Sequence, residues 1–187
     1  MIAGVVLAAG ASTRLGRPKQ LVRYGRTSLI RRTVLAAGDG SCEPVIVVVG
    51  AAASAVEKEL EGLTVEVVHN TGWSEGMASS IRCAIEFVDP LPVRAVIFLT
   101  CDQWKLTADV VRRICDRFDG RERCRVACGY AGTLGVPALF ERAWFPDLLK
   151  LSGDRGAKSL LHHPPNTVHR IRWPQATQDL DERGQQP

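Results

Sequence analysis

The chain has 187 residues, carries a formal net charge of +4, and is 45% hydrophobic and 24% charged. This length favours one domain with a substantial core, and the composition excludes a wholly disordered chain, a collagen and a coiled coil. No apolar run reaches about 18 residues and no secretion signal is recognisable, so we expect a cytoplasmic protein with no membrane partner.

Short apolar segments alternate with amphipathic ones along most of the chain, which is typical of strands alternating with helices. Strands are predicted at residues 2–9, 44–49, 64–69, 93–100, 125–129 and 167–171. Helices are predicted at residues 27–38, 54–60, 77–88, 107–118, 137–149 and 156–162. The alternation predicts a single three-layer, Rossmann-like α/β domain, in which a mostly parallel sheet has helices on both faces. We expect this domain to span residues 1–174, followed by a polar tail at 175–187 that is partly disordered.

The loop after the first predicted strand has the composition of a phosphate-binding loop. Ligands of such sheets bind beyond the carboxyl ends of the strands, where this loop lies. Gly10 and its small neighbours allow close approach of the backbone, Arg14 offers a planar fork of donors, and Lys19 offers a point charge. A Walker A loop is excluded because five residues separate Gly10 from Gly16 and Arg17 follows. The dinucleotide fingerprint G-x-G-x-x-G is also absent here, so the loop favours a nucleoside triphosphate.

A second candidate position follows the most apolar predicted strand, residues 93–100. Asp102 comes directly after it, and a carboxylate at this edge can hold Mg²⁺, with Mn²⁺ as a substitute. Gly76 and Ser80 open a helix near the same edge, where a helix N-terminus favours anions.

These segments resemble the MobA-like nucleotidyltransferases. Residues 7–20 are similar to the signature loop of that family, with Leu15 where methionine is usual. Residues 70–81, 101–103, 135–140 and 153–158 resemble further motifs of the family and occur in the family's order. The resemblance is greatest to the molybdenum cofactor cytidylyltransferases, because Ala9 stands where the guanylyl-transferring relatives usually have glycine.

The resemblance implies a fold of the nucleotide-diphospho-sugar transferase type and a Mg²⁺-dependent reaction. CMP would pass from CTP to the phosphate of a molybdopterin-type acceptor, releasing pyrophosphate, and the product would go to a client molybdoenzyme or an insertion chaperone. The implied catalytic residues are Arg14, Lys19 and Asp102. The implied nucleotide-binding residues are Leu7, Ala8, Ala9, Gly10, Ser12, Arg14, Lys19, Gly76, Ser80 and Asp102. The implied acceptor-binding residues are Gly135, Pro137, Gly153, Asp154 and Gly156, and the implied metal ligands are Asp102 and Asp181, with Asp179 as the rival of Asp181.

Two departures from the family pattern keep other functions open. Trp104 stands where the family has proline, and the C-terminus keeps Asp179 and Asp181 without the usual Thr-Pro. One alternative is a transferase that uses GTP or another phosphorylated acceptor. Another is a nicotinamide or flavin oxidoreductase, and a third is a non-catalytic factor that binds or inserts a cofactor.

Net charge and the spacing of cysteines bear on whether the protein has a nucleic-acid partner or a zinc-type site. The net charge is mild and no long basic stripe is present, so we expect no nucleic-acid partner. The six cysteines show no Cys-x-x-Cys and no zinc-type Cys/His spacing, and the four histidines do not show ligand spacing. The cysteines are therefore expected to be buried free thiols in a reducing compartment.

Overall fold

A seven-stranded sheet forms the centre of the chain, of which the computed structural model describes residues 1–162, 168–178 and 180. The strands are β1 Ile2–Ala8, β2 Arg23–Tyr24, β3 Thr27–Ser28, β4 Val45–Val49, β5 Glu66–His69, β6 Ala95–Thr100, β7 Arg125–Tyr130, β8 Thr133–Glu141 and β9 Val168–Arg172. The helices are α1 Leu29–Asp39, α2 Ala53–Leu60, α3 Met77–Val88, α4 Ala108–Asp116, α5 Phe145–Leu148 and α6 Lys158–Leu161. Strands β2 and β3 form a separate two-stranded ribbon.

The strand order in the main sheet is β5-β4-β1-β6-β8-β7-β9. Strands β5, β4, β1 and β6 are mutually parallel, β7 is parallel to β9, and β8 is antiparallel to both β6 and β7. The prediction of a mostly parallel α/β sheet is thereby confirmed. It follows that β7 runs in the same direction as β6, so their carboxyl ends lie at the same edge.

Helices cover both faces of the sheet. Val6 of β1 belongs to a core that includes Val34 of α1 and Ile114 of α4. Its neighbour Val5 belongs to the opposite core, which includes Ile85 of α3. Successive residues of a strand point to opposite faces, so one apolar strand supplies both cores. The structure thus has the predicted three layers.

Several helix starts agree with the signals in the sequence. Ser28 caps α1, and its Oγ accepts a hydrogen bond from the Arg31 N–H at 3.4 Å. Helix α3 has the predicted bounds and begins directly after Gly76. Local capping and apolar spacing are therefore sufficient to place these two helices.

The predicted helix at 137–149 is wrong. Residues 133–141 form β8, and only Phe145–Leu148 is helical in that range as α5. Pro137 is compatible with the strand because it lies in a bulge: Ala127 pairs with Ala138, while Cys128 pairs with Gly135. No ladder bond is lost where the proline lacks an N–H, and the apolar run that follows is buried on both faces. Such a run does not distinguish helix from strand by its spacing.

The C-terminal segment packs on the sheet where the structure describes it. Pro174–Thr177 forms a short 3-10 helix, and Ala176 and Leu180 are buried. Residues 175–177 lie at the start of the segment that we expect to be a polar tail, and the short helix that contains them packs against β7. Thr167, the first residue of the last predicted strand, lies outside the described residues.

None of the helices in the described ranges has the length and apolar character that crossing a membrane requires. All six cysteines fall within those ranges and are free thiols, five of them buried and Cys83 half-buried. The prediction of free thiols is confirmed, with Cys83 less buried than expected.

Candidate nucleotide-binding site

A cavity of about 320 Å³ opens at the carboxyl ends of β1 and β6. Of the residues predicted to bind nucleotide, it is lined by Leu7, Ala9, Gly10, Lys19, Gly76, Ser80 and Asp102. Asp154, predicted on the acceptor side, lines the same cavity. The structure therefore brings together loops that are far apart in the chain.

An ion pair between Lys19 and Asp102 lies in this cavity. The Lys19 Nζ donates to Asp102 Oδ2 at 2.5 Å, and the two side chains are 24% and 17% exposed. The two residues meet because β1 and β6 are neighbours, with Leu7 opposite Thr100, and each charged residue follows one of these strand ends. The pair places a cation and a carboxylate where a charged ligand can reach both.

The loop after β1 is held by side chains within the loop itself. Gln20 is buried, and its Nε2 donates to the Ala8 carbonyl at 2.8 Å and to the Gly10 carbonyl at 2.9 Å. The Lys19 backbone N–H donates to Ser12 Oγ at 3.1 Å. These hydrogen bonds hold the loop in place around its small residues. Ala8 and Ser12 take part in them and do not line the cavity.

Arg14 is exposed and is not among the residues that line the cavity. It belongs to the same loop, five residues before Lys19. The structure therefore does not bring Arg14 into the cavity with Lys19 and Asp102.

The start of α3 is fastened to the end of β5. Asn70 Nδ2 donates to Ser79 Oγ at 2.8 Å and to Ser80 Oγ at 3.0 Å, and its Oδ1 accepts from the Gly72 N–H at 2.9 Å. The side chains of Asn70, Ser79 and Ser80 are all buried. Asn70 therefore positions Ser80, which faces the cavity.

Only part of the predicted acceptor side reaches this cavity. Gly153 and Asp154 pack against Gly76, and the Ala78 N–H donates to the Gly153 carbonyl at 3.0 Å. Gly135 and Pro137 do not line the cavity. Val136, which lies between them, accepts a hydrogen bond from Gln103 Nε2 at 2.8 Å, and Gln103 follows the lining residue Asp102 in the chain. Gly156 lies against the sulfur of Met77, which does line the cavity.

Two titratable groups near the cavity have shifted pKa values. Burial, followed by the charge of Asp102, raises the pKa of the Cys101 thiol to about 12, which favours the protonated thiol at neutral pH. A hydrogen bond from Arg82 lowers the pKa of Glu75. Arg82 also donates to the Leu151 carbonyl at 2.6 Å, so it joins the loop at residues 73–75 to the loop at 151–156.

Trp104 does not line the cavity with Asp102. Its ring packs against Tyr24 with a centroid distance of 5.1 Å, and Lys105 Nζ lies 4.9 Å from its centroid. Trp104, Tyr24 and Arg32 line a second cavity of about 660 Å³ instead. The ring that replaces the family's proline is thus accommodated beside the site, without filling it.

Several lining residues were missed by the sequence reasoning. Trp73, Ser74, Met77 and Thr100 line the cavity, and Gln20 and Asn70 hold its walls. Gln20 belongs to the family-like segment 7–20, and Asn70 and Trp73 belong to the segment 70–81, but their spacing indicates no role. Asp179 and Asp181, the candidates for a second metal ligand, lie outside the described residues.

Residues 4–170 match the MobA-like NTP transferase domain. The chain belongs to this family of nucleotidyltransferases. The fold is that of the nucleotide-diphospho-sugar transferases, as the resemblance implied.

Solved structures of similar proteins superpose on nearly the whole chain. The crystal structure of Rv0371c from Mycobacterium tuberculosis H37Rv is 33% identical with a TM-score of 0.82, covering 97% of this chain and 93% of that one. A structure of Rv0371C in complex with manganese, also from Mycobacterium tuberculosis H37Rv, is 31% identical with a TM-score of 0.77, covering 92% of this chain and 88% of that one.

A curated relative covers a smaller segment. Nicotine blue oxidoreductase of Paenarthrobacter nicotinovorans is 41% identical over 80 residues, which is 42% of this chain. The match spans 39% of that relative's length.

Proposed function

We propose that this protein transfers CMP from CTP to the phosphate of a molybdopterin-type acceptor and releases pyrophosphate. The observation that carries the proposal is the contact of Lys19 with Asp102 inside a cavity walled by the loop after β1. A cation, a carboxylate and a close backbone are the groups that a metal-bound triphosphate requires. We further infer a cytoplasmic location and a molybdoenzyme or insertion chaperone that receives the product.

The carboxylate of Asp102 suits a hard divalent cation. Mg²⁺ prefers oxygen ligands and is commonly held by one or two carboxylates together with substrate phosphates, and Mn²⁺ accepts similar ligands. Asp102 is half-buried and lines the cavity, so its oxygens can face such an ion. The manganese complex of the Mycobacterium tuberculosis relative supports a divalent-metal site in this chain. When bound, the ion would neutralise the charge that develops on the triphosphate.

Lys19 and Asp102 would exchange partners when the nucleotide binds. The Lys19 Nζ, released from the carboxylate, would turn to the phosphate oxygens, while Arg14 would swing in from the exposed part of its loop. The amides near Gly10 would add neutral donors to the same phosphates. These groups stabilise charge and hold the α-phosphorus in line with the incoming oxygen, which is the main work of phosphoryl-transfer enzymes.

The transfer would need no general base. A phosphate monoester is already anionic near pH 7, so its oxygen forms the new P–O bond at the α-phosphorus while the bond to pyrophosphate breaks. The described part of the cavity offers no histidine, and its only thiol, Cys101, stays protonated. The residues therefore act by position and charge.

Binding of the acceptor is proposed for the side of the cavity formed by Asp154. Gly153 and Gly156 would allow close backbone approach there. Gly135 and Pro137 would extend the surface on either side of Val136, whose carbonyl accepts from Gln103. Asp181 is proposed as the second metal ligand, with Asp179 as its rival. This proposal is supported by the backbone N–H of Leu180, the residue between them, which donates to the Asp102 carbonyl at 3.1 Å.

The first test is the thermal stability of the protein with CTP, GTP, ATP, UTP and NADPH, each with and without Mg²⁺ or Mn²⁺. A ligand at about 100 times its Kd adds about 2.7 kcal/mol, which raises Tm by several degrees. We expect a metal-dependent shift with CTP alone. A shift with GTP moves the protein to guanylyl transfer, and no shift with any triphosphate rejects the assignment of the loop. Binding of CTP without pyrophosphate release on the acceptor would instead indicate a non-catalytic cofactor-binding factor.

Lys19→Ala tests the central ion pair. We expect turnover, measured as pyrophosphate release at saturating CTP and acceptor, to fall by about 10²–10³, because a charge-stabilising donor is lost. Lys58→Ala is the matched control, since Lys58 is an exposed lysine of α2 away from the cavity. Near-normal turnover of Lys19→Ala would contradict the proposed role.

A second candidate function is favoured by one relative. The name of the Paenarthrobacter protein describes an oxidoreductase, and its match to this chain is 41% over 80 residues. The loop after β1 lacks the dinucleotide fingerprint, which weighs against nicotinamide binding. A stability shift with NADPH and none with nucleoside triphosphates would support this second function.

A further inference from the structure

Three ligand-type side chains lie together at the edge of the sheet opposite the nucleotide site. Asp119 follows α4, Cys124 directly precedes β7, and His169 belongs to β9. One oxygen, one sulfur and one nitrogen of these residues all lie within 4.8 Å of one another. Because β7 runs parallel to β6, the start of β7 is at the amino edge, whereas Asp102 follows the carboxyl end of β6. The nucleotide site uses none of these groups.

We propose that Asp119, Cys124 and His169 form a binding site for Zn²⁺, separate from the nucleotide site and independent of the proposed transfer reaction. Carboxylate oxygen, thiolate sulfur and imidazole nitrogen are the three donors that zinc takes in proteins. A thiolate and an imidazole disfavour Mg²⁺ and Ca²⁺, which prefer oxygen ligands. Three protein ligands leave a fourth tetrahedral position for water.

The distances fit such an ion. His169 Nε2 and Asp119 Oδ2 are 3.3 Å apart. With Zn–N and Zn–O bonds of about 2.0–2.2 Å at tetrahedral angles, two such ligands are separated by about 3.3–3.5 Å. The His169 and Asp119 side chains are 32% and 28% exposed, while Cys124 is buried beneath them. An ion can therefore enter from the solvent side and reach the thiol.

Arg121 is the group that competes with the metal. Its Nε lies 3.2 Å from Asp119 Oδ2, and its backbone N–H donates to Oδ1 at 3.0 Å. The guanidinium is on a side chain that is 83% exposed, so its ion pair contributes little and can be given up to water. The backbone hydrogen bond can remain, and it would orient the carboxylate with Oδ2 toward the ion, as outer partners of metal ligands commonly do.

A second histidine–carboxylate pair provides a control within the same chain. His69 Nε2 lies 3.2 Å from Glu57 Oε1, almost the same separation as in the proposed site. Across the part of the chain that the structure describes, no third ligand completes this pair. The two pairs differ in the presence of a cysteine, so comparing their metal binding shows what the Cys124 thiol contributes.

The experiment titrates Co²⁺ into the full, tag-free chain after reduction and removal of metals by a chelator. Co²⁺ replaces Zn²⁺ in tetrahedral sites and gives a thiolate-to-cobalt charge-transfer band together with visible d–d bands. We expect both in the wild type and after His69→Ala. We expect Cys124→Ser to abolish the charge-transfer band, His169→Ala to weaken binding at least about tenfold, and Arg121→Ala to strengthen it.

Because Cys124 is buried, Cys124→Ser could unfold the chain, so His169→Ala is the deciding variant. Circular dichroism checks its fold, and Zn²⁺-dependent elevation of Tm is measured beside the wild type. Absence of a thiolate band in the wild type would overturn the site, as would equal Co²⁺ binding by His169→Ala. Binding that affects only CTP-dependent stability would place the metal at Asp102 instead, and would leave the nucleotide proposal standing.

Discussion

Gly76 connects two loops of the candidate site at a single backbone position. Its φ of +121° is a conformation that side chains rarely adopt. A Cβ built there would lie 2.7 Å from the Gly153 carbonyl and would also collide with the Asp154 carboxylate. A hydrogen atom is therefore the only side chain that lets the start of α3 contact the loop at 153–156.

Gly76→Ala should cost stability and nucleotide binding together. Strain at such a backbone position costs about 1–3 kcal/mol, and the clash pushes Asp154 out of the cavity. Gly62→Ala is the matched control, because Gly62 also has a positive φ of +78° but open space around its Cβ position. We expect both variants to lower the urea midpoint, and only Gly76→Ala to lose the CTP-dependent rise in Tm. Retention of that rise in Gly76→Ala would show that the two loops need not meet.

Single residues also differ in how far their position at the cavity follows from the sequence. Lys19 and Asp102 follow strand ends, and carboxyl ends of parallel strands share an edge, so their proximity could be expected from position alone. Gln20 could not be assigned in this way. Its role depends on two carbonyls, those of Ala8 and Gly10, that turn toward it only in the folded loop.

Strand β8 shows the limit of local patterns at the scale of elements. Leu139 and Phe140 after Pro137 predict the start of a helix, but the segment is an antiparallel strand between β6 and β7, which are parallel to each other. A fully buried segment has apolar residues on every side, so spacing carries no information about its period. Its position between β6 and β7 decides its conformation.

Phe140→Ala tests how much of the core depends on β8. Phe140 is fully buried and has edge contacts with Phe98 and Trp144 at centroid distances of 6.0 and 6.4 Å. We expect the free energy of unfolding, measured in urea, to fall by about 3–5 kcal/mol. Leu35→Ala is the control, because Leu35 is 42% exposed on α1 and should change stability by about 0.5 kcal/mol or less. Equal effects of the two substitutions would contradict the placement of β8 in the core.

The distribution of thiols is a property of the whole molecule. Five of the six cysteines are buried, and they lie in different parts of the fold. The sixth, Cys83 of α3, is half-buried. Burial raises the pKa of the Cys83 thiol, and it also raises the pKa of Cys128 to about 12. Only thiolates react rapidly, so even the accessible cysteine should react slowly near neutral pH.

Labelling with a thiol reagent in the presence of a chelator should therefore modify one cysteine of the native chain and all six after unfolding in urea. The rate at Cys83 should increase as pH rises, because its elevated pKa leaves little thiolate at pH 7. Cys83→Ser is the control and should leave the native chain unlabelled. Rapid reaction of two or more thiols in the native chain would show that the core is open.

Local patterns in the sequence are enough to predict the alternation of strands and helices, the three-layer α/β class and the loop that carries Lys19. These depend on local apolar periodicity, on capping and on the spacing of small residues after a strand. Only the folded chain shows the strand order, the reversal of β8, the position of Asp154 at the cavity and the proximity of Cys124 to His169. Such contacts join residues that are distant in the chain, and their energy depends on which surfaces the whole chain buries against each other.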